Sequence, residues 1–89
     1  MRELHVKTVV LEDELGRNRC YEYAILIDEM RVGSFPCESY GLKVSEQGGA
    51  RCAVPDITVS TERIDELCER VIAGGVTPVT LKDVVEDWL

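Results

Sequence analysis

Two stretches near the C-terminus constrain the fold more than any other part of the chain. Ile64, Leu67, Cys68, Val71 and Ile72 fall at i, i+3, i+4, i+7 and i+8, and Leu81, Val84, Val85, Trp88 and Leu89 repeat the spacing. This is the apolar stripe of a helix with 3.6 residues per turn. The opposite faces are charged: Glu62, Arg63, Asp65, Glu66, Glu69 and Arg70, then Lys82, Asp83, Glu86 and Asp87. Helices this short draw most of their stability from packing, so both stripes need an apolar surface to lie on. Ser60 is a preferred N-cap for the first, with Val59 and Ile64 at the spacing of a hydrophobic staple. Gly74 ends it and Gly75 lets the chain turn away. Thr80 is the expected cap of the second, with Asp83 in its first turn and Val79 and Val84 repeating the staple. Val76-Thr77-Pro78-Val79 reads as an extended link, because proline disfavours helical angles in the residue before it. The stripe also places Trp88 and Leu89 in the core.

The surface those helices need is supplied by four strand-like segments upstream. In Leu4–Leu11, Leu4, Val6, Thr8 and Val10 alternate with His5, Lys7, Val9 and Leu11, and the far end is apolar on both sides. Glu12–Asn18 is a turn with Gly16 at its centre. Cys20–Asp28 is the most strand-like segment: Tyr21, Tyr23, Ile25 and Ile27 line one face, and Cys20, Ala24 and Leu26 line the other, interrupted by Glu22. Apolar residues on both faces point to a central strand. Glu29–Pro36, broken by Gly33 and Pro36, reads as an irregular connection whose Met30, Val32 and Phe35 plug the edge of the core. Cys37–Ser45 is the third strand, with Tyr40, Leu42 and Val44 on one face and Gly41 opposite, where a close neighbour or bulge would fit. Gly48-Gly49 marks a hairpin into the fourth strand, Ala50–Val54, which Pro55 ends. The expected architecture is a single α+β domain over residues 1–89: a four-stranded antiparallel sheet, mainly a meander, followed by two amphipathic helices packed on it.

Composition excludes several function classes. Seventeen acidic residues face ten Lys or Arg, for a net charge of −7. Residues 56–89 are the more acidic part, with eight acids against three bases. No basic run is present to offset phosphate repulsion, so nucleic acid is not expected as a partner. The longest apolar runs are too short for a membrane span, and the first residues lack the apolar block of a signal peptide, so a cytoplasmic location is expected. The Gly-Gly pair leads into a strand rather than a helix, and so is no phosphate loop.

The inventory for chemistry is thin. Cys20, Cys37, Cys52 and Cys68 stand 17, 15 and 16 residues apart, without the close pairs of a zinc knuckle, and read as separate reduced thiols. The one histidine, His5, has no adjoining nucleophile context. The acids at 12–14, 28–29 and 86–87 fit no calcium-loop spacing. No catalytic, cofactor-binding or metal-binding residue is assigned, no cofactor is expected, and the chain is read as a non-enzyme. Tyr21, Tyr23, Ile25 and Phe35 are the residues expected to face an interface or ligand, because a sheet apolar on both faces needs cover beyond the helices.

Tyr40-Gly41-Leu42, the helix entry Asp56-Ile57-Thr58, and the ending Val76-Thr77-Pro78-Val79-Thr80-Leu81-Lys82-Asp83-Val84-Val85-Glu86-Asp87-Trp88-Leu89 resemble a family of short uncharacterised proteins from clostridia-like Gram-positive bacteria. The resemblance runs from Tyr40 to the end. It implies a bacterial cytoplasmic protein of unassigned function and supplies no catalytic residues. The functional expectation is a protein-interaction or regulatory module whose partner is another protein or a second copy in a homodimer. The alternative is a small-molecule-binding protein or enzyme with its pocket at a subunit interface.

Overall fold

The computed structural model describes residues 1–89. Four strands, β1 (Arg2–Glu12), β2 (Asn18–Val32), β3 (Phe35–Glu46) and β4 (Arg51–Thr58), precede two helices, α1 (Thr61–Ala73) and α2 (Leu81–Trp88). The sheet is an antiparallel meander in the order β1-β2-β3-β4. Both helices lie on one face, called the front. Tyr21, Tyr23 and Ile25 of β2 and Leu42 and Val44 of β3 meet Ile64, Leu67, Cys68 and Val71 of α1, Val76 of the link, and Leu81 and Val85 of α2. The α+β meander with two packed helices is therefore the fold, and the helical stripes cover the β2 face that carries the tyrosines.

Three features of the strands differ from expectation, each for a local reason. In β1 the register shifts between His5 and Lys7. One extra residue in a strand reverses its alternation. Leu4 therefore pairs with Ile25 while Val9 pairs with Tyr21, and both lie on the front although their numbers differ in parity. In β4 the strand continues through Pro55 to Thr58, with a second shift opposite Tyr40–Leu42. The β4 backbone there passes over Gly41, where a β-carbon would lie 2.7 Å from Pro55 Cα and closer still to the Val54 carbonyl oxygen. Asp56 completes the bulge at φ 54°, a left-handed conformation that Asp tolerates better than most residues.

The third difference is the largest. Glu29–Pro36 is not an irregular plug. β2 and β3 pair without interruption as far as Val32 and Phe35, and only Gly33 and Ser34 turn the chain. Gly33 at φ 66° supplies the positive angle that a two-residue hairpin needs. Pro36 sits where β3 has no β4 neighbour, an edge position that a strand proline tolerates.

At α1, Ser60 accepts a hydrogen bond from Arg63 N at 3.3 Å, as expected of the cap. The helix closes with Val76 N donating to Val71 O and Gly75 N to Ile72 O, with Gly75 at φ 60°. This is a Schellman ending, and it buries Val76 against the same core as Val71. The start of α2 corrects the expected extended link. Thr80 already has helical angles and makes no side-chain cap bond. The turn begins at Thr77, whose carbonyl accepts from Thr80 N and Leu81 N. Pro78 then sits at the first helical position, where a missing N–H costs nothing. Thr80 Oγ1 accepts from Thr77 N at 3.2 Å, in the manner of a capping box. Moving the start by three residues makes Val76 and Leu81 the staple pair, and both are buried. Val79, the expected staple residue, is 82% exposed. The expectation for the C-terminus is half met: Trp88 packs on the core with Arg63 4.4 Å above its ring, while Leu89 is 74% exposed.

Candidate functional site

Of the residues expected at an interface, Tyr21, Tyr23 and Ile25 lie under the helices. Tyr23 is 1% exposed, its hydroxyl donates to the Val76 carbonyl at 2.9 Å, and burial pushes its phenol above the usual tyrosine range. These three side chains hold the layers together. Phe35 is different: it is 76% exposed and stands beside the β2–β3 turn.

Phe35 belongs to a structural feature that the sequence had presented as a loop. The last row shared by other strands is Arg2–Ile27–Tyr40–Thr58. Beyond it β2 and β3 continue alone for five pairs, Asp28–Ser39 to Val32–Phe35. This two-stranded arm extends about 20 Å past the sheet at the usual rise per residue. Its length accounts for much of the molecule's 53 × 24 × 17 Å extents. Directly paired strand residues share a face, so Met30, Val32, Phe35 and Cys37 form one side of the arm. That side is continuous with the helix-free back of the sheet. The other side carries Glu29, Arg31, Pro36 and Glu38, with Glu38 paired to Arg2. The arm is thus amphipathic, and Met30, Val32 and Phe35 are all exposed. A ribbon of two strands has no layer of its own against which to bury an apolar side.

The rest of the back face is mainly polar rather than apolar. Lys43 Nζ lies 2.8 Å from Glu3 Oε1, His5 Nε2 lies 2.8 Å from Thr8 Oγ1, and Glu22, Ala24 and Ser45 complete the shallow depression between them. Leu26 is buried beside Gly41, under the end of β4 that bends over it. The exposed apolar side chains of this face are therefore those of the arm and, at the far end of the sheet, Val10 alone.

A second concavity lies on the front between β1 and α1. Leu4, Val6, Ile25, Cys68 and Ile72 line about 390 Å³, with His5, Asp65 and Glu69 at the rim. It exists because the helices lean on β2, β3 and β4, leaving Leu4 54% exposed on the outer strand. Burial, with smaller effects from Asp65 and Glu69, raises the Cys68 thiol above its usual range, so this cysteine is disfavoured as a thiolate. The four cysteines are unpaired and spread over β2, the arm, β4 and α1. No three His, Cys, Asp or Glu side chains are grouped as metal ligands would be, and no helix is long and apolar enough to cross a membrane.

One family model spans residues 2–89, from the first strand to the last helical turn. The chain belongs to DUF6514, a family of unknown function. The match covers the arm, the bulged β4 and both helices, so the DUF6514 unit is the whole meander with its helices rather than the C-terminal part alone. No curated protein matches, and no solved structure matches. The family assignment therefore leaves the arm and the β1–α1 groove as the features from which function is argued.

Proposed function

We propose that this DUF6514 chain is a non-enzymatic protein-interaction module of the bacterial cytoplasm, and that the apolar side of the β2–β3 arm is its contact surface. The observation that carries the reading is the extension of β2 and β3 beyond both flanking strands with Met30, Val32 and Phe35 exposed on one side. A chain selected only to fold would gain nothing from the four outer pairs, Glu29–Glu38 to Val32–Phe35, which no other strand flanks, and apolar patches left in water mark contact sites more often than accidents. The cytoplasmic placement rests on the family resemblance and on four unpaired cysteines, as a reducing compartment keeps them.

The test is a photo-crosslinking residue placed at Val32 in living cells of the source bacterium, with a second chain labelled at Glu66 on the outer face of α1. The expected result is a polypeptide adduct at position 32 that Phe35→Asp removes. Equal labelling from position 66, or an adduct indifferent to Phe35→Asp, would end this reading.

The β1–α1 groove favours a second reading, in which a small molecule with an apolar body and a cationic end lies on Leu4, Val6 and Ile72 with its charge toward Asp65 and Glu69. Ligand-induced shifts confined to the amides of those residues would support it. Shifts unaffected by Ile72→Ala would count against it.

A further inference from the structure

We infer that the partner of the arm is a second copy of this chain, the two arms overlapping antiparallel about a two-fold axis with their apolar sides in contact. This rests on the reading of the arm as a contact surface and names what occupies it.

The charge distribution selects this occupant. On the apolar side, beyond Asp28, the positions are Met30, Val32, Phe35 and Cys37, with no charge that would choose a basic or acidic foreign partner. Along the arm, charge is graded. Arg31 lies near the tip, and Asp28 and Glu29 lie at the base. None of the three takes part in an ion pair within the chain. An antiparallel overlap sets each basic tip against the acidic base of the other copy, so one surface complements itself, as a two-fold interface requires. Asp28 is on the contact side, whereas Glu29 and Arg31 spring from the charged side. The complementarity is therefore a rim effect, reached by the long Arg31 stem passing round the edge of a ribbon only two strands wide toward Asp28 of the other copy. The arrangement also handles the net charge of −7. The acidic helices occupy the front of each sheet, so contact through the back of the arms turns both acidic layers outward.

Area sets the strength. Two ribbons about 20 Å long bury well under the roughly 800 Å² per partner of a standard stable interface. The dimer is therefore a reversible one, with monomer and dimer both populated in the micromolar to submillimolar range.

The experiment is sedimentation equilibrium of the purified full chain from about 5 to 500 µM, a range chosen to span such weak interfaces. Circular dichroism and the melting temperature serve as folding controls. Wild type is expected to move from one chain mass toward two. Val32→Asp and Phe35→Asp, both at exposed positions, are expected to weaken association roughly thirtyfold or more while melting unchanged. Arg31→Glu is expected to weaken it about fivefold, the scale of two rim ion pairs. Combining it with Asp28→Arg and Glu29→Arg should restore association. A monomer at every concentration overturns the inference, and so does a dimer indifferent to Val32→Asp and Phe35→Asp. A dimer that needs Phe35 but is not restored by the charge exchange overturns the antiparallel overlap. If the pure chain is monomeric while crosslinking in cells still depends on Phe35, the partner is foreign and only the self-association falls. If crosslinking is also indifferent to Phe35, the contact-surface reading falls with it.

Discussion

At the scale of single residues, two positions carry unusual weight. Tyr23 joins the layers through one hydrogen bond to the Val76 carbonyl, beneath the helices. Removing the hydroxyl leaves that carbonyl without its partner, so Tyr23→Phe should lower stability by about 1–2 kcal/mol in urea unfolding with little change in the slope. Gly41 is the second. Its missing side chain is the space through which β4 crosses, and the atoms that would meet a methyl group are backbone. Backbone cannot swing aside as a side chain can, so Gly41→Ala should cost about 3 kcal/mol, at the upper end of overpacking penalties. The sequence showed that Gly41 stood opposite an apolar strand face, and a close neighbour was the natural expectation. It could not show that the neighbour was the bulge at Pro55 and Asp56, because that contact depends on a register shift between two strands.

At the scale of elements, the turns decide geometry more than the strands do. The β1–β2 turn is organised by the Asp13 carboxylate, which accepts from Arg17 N at 2.8 Å, Leu15 N at 2.9 Å and Arg19 Nε at 3.2 Å. The Arg17 amide bond is the main cause holding the Asp13 carboxyl below its usual range; desolvation opposes it, and the bonds from Arg19 and Leu15 carry the balance downward. A carboxyl whose folded pKa is depressed adds stability that is complete above its unfolded pKa and is lost as pH falls through the folded one. Hydrogen exchange at Leu15 and Arg17 should therefore become faster, after correction for intrinsic rates, as pH falls below about 4, the ordinary carboxylate value. Asp13→Asn should flatten that dependence. At the start of α2, the three-residue displacement of the cap has its own consequence. Thr80→Ala removes the hydroxyl that accepts from Thr77 N and should cost about 1 kcal/mol, whereas Val79→Ala should lie within about 0.5 kcal/mol of wild type. Equal effects in thermal unfolding would return the helix start to Thr80.

For the whole molecule, the separation of a buried front from an exposed arm makes a simple contrast. Leu81 is fully buried between α2 and the sheet, while Phe35 is 76% exposed. Leu81→Ala should therefore destabilise by about 2–5 kcal/mol, and Phe35→Asp by no more than about 0.5 kcal/mol, although Phe35 is the larger side chain. Chemical unfolding of both variants would check it. A large loss from Phe35→Asp would mean that the arm is part of the folding core. The Cα radius of gyration of 13.9 Å exceeds the roughly 12 Å of a compact chain this long, as expected of a body with a projecting ribbon.

What the sequence determined by itself was local and periodic. The two stripes at 64–72 and 81–89 specified two helices with one buried side each, and the alternation of Tyr21, Tyr23, Ile25 and Ile27 specified a strand with a face to match. Those patterns are short-range consequences of 3.6-residue and two-residue repeats, so one sequence suffices to read them. Tertiary structure alone decided which apolar residues were left outside. Met30, Val32 and Phe35 are as apolar as Ile25 and Leu42, and Gly33 and Pro36 made their segment resemble a loop. They are exposed because β1 ends its pairing at Ile27 and β4 ends its own at Tyr40, and neither helix reaches past that row. Burial depends on where neighbouring chain stops, and that distance in space is not written in any local pattern.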